Sequence, residues 1–163
     1  MPFDPSILTA PLPGETLYSM IGKLALAALL GAIIGAEREY RRHDAGLRTH
    51  MLMSIAAAAF TMIAWAMYHE VRIAAAGGSN TVDPIRVVEA VTAGVAFLGA
   101  GAIIQTRDRV RGVTTGAGMW TAGAIGVATG CGYYSTAISL TVIVFVVLTA
   151  IAWVSHRLPP DKS

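Results

Sequence analysis

Residues 37–50 read EREYRRHDAGLRTH and hold the densest group of chemically able side chains in an otherwise apolar chain. Glu37 and Arg41 stand four residues apart, the spacing that puts two side chains on one helical face within ion-pair reach. The loop to the next apolar run is short, so Glu37 at one helix end and Arg48 at the next helix start are expected to pair. Arg38, Glu39, Asp44, Thr49 and His50 crowd the same segment. A second basic stretch, Arg107 to Arg111, is followed by Thr114 and Thr115, whose hydroxyls suit a helix cap. If both stretches emerge on one side, Glu37, Arg38, Arg48 and His50 face Arg111, Thr114 and Thr115 across one end of a bundle. That is a polar binding site. The plainer alternative is that the arginines only fix topology.

Catalysis is not the chemistry these residues suggest. His43, His50, His69 and His156 are dispersed, and no serine or cysteine has an evident base partner, so an enzyme is not expected. His43 beside Asp44 offers two adjacent ligands, too few for a metal centre, and neither metal nor cofactor is expected. Cys131 is the single cysteine, which rules out an intrachain disulfide. A formal charge of +2 gives no footprint for nucleic acid.

The elements that position these groups follow from composition. Of 163 residues, 55% are hydrophobic and 13% charged, with mean hydropathy +0.60, against about 25% charged in soluble domains. The reading is an all-α polytopic membrane protein, a compact bundle of about five transmembrane helices over 17–36, 51–68, 87–104, 112–129 and 135–154. Residues 1–16 form a proline-containing lead-in, 17–154 the transmembrane domain and 155–163 a tail. Asp83 caps the third helix, and Pro84 suits its first position. Arg86 and Glu89 are expected to pair one turn apart on the outer side, Lys23 to snorkel to the headgroups, and Trp120 to pack inside the bundle.

Lipid tails are as apolar as leucine, so membrane helices associate by close backbone approach at small residues. Gly31, Gly35, Gly94, Gly99, Gly101, Gly112 and Gly116 are therefore expected to pack helices together. Lysine and arginine set orientation, because cytoplasmic loops carry the excess. Arg38, Arg41, Arg42, Arg48, Arg107, Arg109, Arg111, Arg157 and Lys162 fall on one side of a five-span chain, and Lys23, Arg72 and Arg86 on the other. This places the C-terminus in the cytoplasm.

The motifs GAIIGAERE, AGLRTH, DPIRVVEAVTAGVAFLGAGAII and VRGVTTGAGMW, in this order, resemble the membrane domain of the MgtC/SapB family of bacterial inner-membrane proteins over roughly Leu24 to Ala150. The resemblance implies a multi-pass inner-membrane protein linked to growth at low magnesium and survival inside macrophages. It also implies a regulatory action on another membrane complex such as the rotary ATP synthase. It marks Glu37, Arg38, Glu39, Asp44, Gly46, Leu47, Arg48, Thr49 and His50, and later Asp83, Arg86, Gly94, Phe97, Gly99, Gly101, Arg111, Gly112, Thr114, Thr115 and Trp120. Glu89 stands where many members carry apolar residues. Many members add a soluble ACT-like domain, so with this chain ending at Ser163 the activity is expected from the membrane domain and its loops. The expected partners are the bilayer, another membrane protein and further copies of the chain, which meet through glycine-lined helix faces. An ion transporter or channel, for magnesium or another ion, is the alternative, although the spans offer few polar groups for a pathway.

Overall fold

The computed structural model describes residues 11–74, 83, 85–105 and 109–155. Expectations that fall on residues 1–10, on the loop around Ser79, on Pro84, on Arg107 and Asp108, or on the tail from His156 lie outside the described residues. The order is α1 (Leu17–Tyr40), α2 (Leu47–Ala74), α3 (Ile85–Gly101), β1 (Ile104–Gln105), β2 (Val110–Arg111), α4 (Val113–Gly130) and α5 (Tyr134–Ser155).

The helix boundaries differ from the apolar runs for local reasons. α1 begins where Thr16 Oγ1 accepts from the Ser19 amide at 3.2 Å. It continues a full turn past Ala36 because EREY carries good helix formers. Gly46 does not stop it. Instead, the amides of Arg42 and His43 donate back to the carbonyls of Glu39 and Arg38, the Schellman pattern, with Arg42 in the left-handed region at φ 58°. α4 ends in the same way, with Gly132 at φ 82° in the corresponding place.

α2 starts at Leu47, earlier than its apolar run, because Glu39 Oε2 accepts from the Leu47 amide at 2.8 Å. A carboxylate from the preceding helix thus supplies the cap that Gly46 lacks. α3 stops at Gly101, and a two-stranded antiparallel hairpin, pairing Ile104 with Arg111 and Gln105 with Val110, leads to α4. Neither Thr114 nor Thr115 caps α4. Its cap residue is Gly112, at φ 84°, where a β-carbon would lie 2.0 Å from the Ala102 carbonyl oxygen.

α4 touches each of the other four helices. Small residues make this central position available. A β-carbon at Gly126 would lie 2.2 Å from the Ser54 carbonyl oxygen, and one at Gly130 would lie 2.7 Å from that of Ala58, so α2 crosses α4 at backbone contact. On α3, Val95 fills the notch at Gly123 and Gly99 meets Gly116. α1 approaches α2 equally closely, with Gly31 against the His50 carbonyl and Gly35 against Leu47. Gly94 and Gly101 behave differently. Nothing lies within 4 Å of a β-carbon at either, so neither packs one helix of this chain on another.

Among the described residues, α1 and α2 are long and apolar enough to cross a membrane, and α5 is apolar from Tyr134 to Ala150. Ile21, Leu29, Phe60, Phe97 and Val142 are each more than half exposed on the bundle's outside. Water would tolerate such a contiguous apolar exterior poorly, whereas a bilayer solvates it.

Candidate polar binding site

The last turn of α1 places Glu37 and Arg38 inward, where they are 8% and 3% exposed. Arg38 Nε donates to Glu37 Oε2 at 2.6 Å, and Arg41, four residues on, pairs with the other carboxylate oxygen. One carboxylate therefore balances two guanidinium groups where water is scarce. The expected partnership of Glu37 with Arg48 is not formed. Arg48 is exposed, and both oxygens of Glu37 are already engaged by Arg38 and by Arg41 at the end of the same helix.

His50, one turn into α2, is fully buried against α1 and α4. Its Nδ1 lies 2.9 Å from the Gly46 carbonyl oxygen, which can only accept, so Nδ1 carries the proton. Nε2 then has a lone pair and no partner among the described residues, facing Gly118, where a β-carbon would lie 3.1 Å away. Ser54, on the same face one turn later, is equally buried, and its Oγ also has no partner among the described residues. Ser54 and Gly118 were missed from the sequence. Serine four residues after a buried histidine is the signal that could have found the first, and the second needs the α2–α4 crossing.

The loop end of the bundle holds the remaining residues in varied states. Thr115 is buried at 3% exposure, whereas Asp44, Thr114 and Arg111 are exposed and Thr49 is half-buried. Arg42, Arg48 and Arg111 carry no ion pair among the described residues. His43 is held below the usual histidine range, first by desolvation and then by the Arg38 guanidinium.

Asp83, Arg86 and Glu89 sit at the other end of the bundle. Asp83 Oδ1 accepts from the Ile85 amide at 2.9 Å and caps α3. Arg86 and Glu89 are both exposed and do not pair with each other. Lys23 extends back past the start of α1. Its ammonium pairs with Glu15 and reaches toward the Gly130 carbonyl at 3.4 Å, at the negative end of α4. Trp120 is half exposed rather than packed inside, and Phe97 is 79% exposed.

Apolar helices closed at one end by a buried ion-pair group define a helical membrane protein with a polar site at a helix-loop rim. The chain belongs to the MgtC family, whose model matches residues 24–157. It is 32% identical to Protein SapB of Bacillus subtilis over 86% of the chain and 60% of that protein. It is 35% identical to Protein MgtC of Salmonella typhimurium over 78% of the chain and 50% of that protein. Protein MgtC of Brucella abortus is 38% identical over 76% of the chain and 48% of its own length. The chain thus spans about half to three-fifths of these relatives. No solved structure matches the chain.

Proposed function

We propose that the chain is a regulatory protein of the bacterial inner membrane that acts by binding another membrane protein, without catalysis. In this reading five helices cross the bilayer and the C-terminus is cytoplasmic. The observation that carries it is a division of labour among the arginines. Arg38 and Arg41 are consumed internally by Glu37, whereas Arg42, Arg48 and Arg111 stand exposed at the same end and carry no ion pair among the described residues. Exposed guanidinium groups offer bidentate hydrogen bonds to carboxylates, so the rim suits an acidic cytoplasmic surface. Gly31 and Gly35 of α1 and Gly116, Gly126 and Gly130 of α4 are covered within the chain, which directs partner contact to this rim rather than to those positions. By family resemblance the rotary ATP synthase is the first partner to test, in a role tied to low magnesium and intracellular survival.

Ion transport is the second reading, favoured by the unpartnered His50 and Ser54 inside the bundle. Against it, the buried hydroxyls of Thr61, Thr129 and Thr141 each donate to a carbonyl one turn back and are not free to line a wet path. Co-purification from bacterial membranes tests the first reading, with Arg48→Glu and Arg111→Glu expected to abolish recovery of the partner complex. Selective ion flux in proteoliposomes, together with unchanged recovery by both variants, would replace regulation with transport.

A further inference from the structure

α3 packs on the bundle through Val91, Val95 and Gly99. At Gly99 it meets the Gly116 backbone, but it leaves cavities on both sides, toward α2 and toward α4. The larger, about 450 Å³, lies between α2 and α3 and is lined by apolar residues, among them Phe60, Ile63 and Met67 of α2 and Val87, Gly94 and Leu98 of α3. Phe60, Met67 and Leu98 are more than half exposed, so the cavity is a groove open along the outside of the bundle.

We propose that this groove holds an acyl chain of a bilayer phospholipid, with Arg86 at its rim against the lipid phosphate. Three observations choose that occupant. From Val87 to Leu98 the lining runs about 16 Å along α3 at 1.5 Å per residue, close to one leaflet of a hydrocarbon core about 30 Å thick. Spread over that length, 450 Å³ leaves room for a single unbranched chain of methylenes. An apolar lining does not hold water.

The third observation is the chemistry at the mouth. Arg86 is exposed one turn before Ala90, a groove residue, and carries no ion pair among the described residues. Trp65 and Tyr68 stack with ring centroids 5.6 Å apart near the Met67 end, the kind of aromatic pair that settles at headgroup depth. An arginine there meets phosphate, not hydrocarbon.

The proposal rests on the membrane-spanning reading, and the experiment separates the two. The full chain is reconstituted into vesicles of phosphatidylethanolamine and phosphatidylglycerol that carry phosphatidylglycerol with an acyl-chain diazirine, floated, irradiated and mapped by mass spectrometry. Adducts are expected to concentrate on Phe60, Met67 and Leu98, above the level on the outer face of α5 at Val142 and Val146. Gly94→Phe fills the groove from a position with open space, so it should keep its melting temperature while groove adducts fall about tenfold. Arg86→Gln should lower them about threefold, the scale of one exposed charge contact, and leave α5 adducts unchanged. Groove adducts no higher than those on α5, as a protein helix seated in the groove would give, or groove adducts unaffected by Gly94→Phe would overturn the proposal while leaving the spans intact. A chain that does not float with the vesicles would overturn both.

Discussion

Glu37→Gln should destabilise the chain by about 3 kcal/mol, the lower end of the cost of breaking a deeply buried pair. The size follows from who is left behind. Arg38 is 3% exposed and its Nε proton points at Glu37 Oε2 at 2.6 Å, so the neutral amide leaves a buried guanidinium without a counter-charge. Arg41 contributes less, because its side chain is 27% exposed and water can replace the carboxylate. The assay is reversible unfolding in mixed micelles followed by circular dichroism, applied to single and double variants. Glu37→Gln with Arg38→Gln should cost less than the sum of the separate losses by more than about 1 kcal/mol, because the double variant strands no charge. Glu37→Gln with Arg48→Gln should be additive within about 0.5 kcal/mol, since the two side chains do not meet. A loss below 1 kcal/mol for Glu37→Gln, additivity with Arg38, or coupling with Arg48 would refute the geometry.

Three further outcomes follow from the backbone and the outer end. Gly126→Ala should cost about 3 kcal/mol through overpacking against Ser54, whereas Gly94→Ala, with open space around it, should be neutral or gain up to about 1 kcal/mol from helix propensity; similar melting of both variants would remove glycine packing as the reason for the α2–α4 contact. Arg42→Gly should stabilise by about 1 kcal/mol by relieving a left-handed residue with a side chain, and Gly132→Ala should destabilise by about as much; shifts of the same sign in thermal denaturation would contradict the paired caps. Glu15 lies below the ordinary glutamate value because Lys23 and Ser19 donate hydrogen bonds to it. The unfolded chain therefore binds the extra proton, and Glu15 contributes stability that is present above the ordinary value and lost as pH falls through its lowered folded value. Glu15→Gln should flatten that acid limb in a pH series of melting curves, and an unchanged limb would place the pair in solvent.

Much of the architecture was legible because bilayer solvation imposes a simple code. Long runs poor in charge and rich in glycine and alanine can only be satisfied as helices, so the five helices, and the glycine contacts at Gly31, Gly35, Gly99 and Gly116, could be read from spacing. Boundaries were less legible. The stop after α1 is made by Arg42 in a conformation that glycine usually takes, and the start of α2 by a carboxylate eight residues earlier, at Glu39. Residue type alone marks neither.

What the sequence determined by itself is therefore periodic and compositional: five apolar helices, basic segments gathered at one end, and a capping aspartate at Asp83. Partnership among charges was decided by the tertiary structure. Four arginines lie between Glu37 and His50, and spacing allowed either Arg41 or Arg48 to claim the carboxylate. The packing of α1 on α2 and α4 buries Arg38 with Glu37, leaves Arg41 on the same face, and turns Arg48 outward. The same crossing sets the imidazole of His50 against Gly118 and covers most of the glycine faces. Gly94, identical in type and helical setting, is left facing the groove between α2 and α3. The path of a neighbouring helix decides that difference, and it is not encoded within four residues of the glycine.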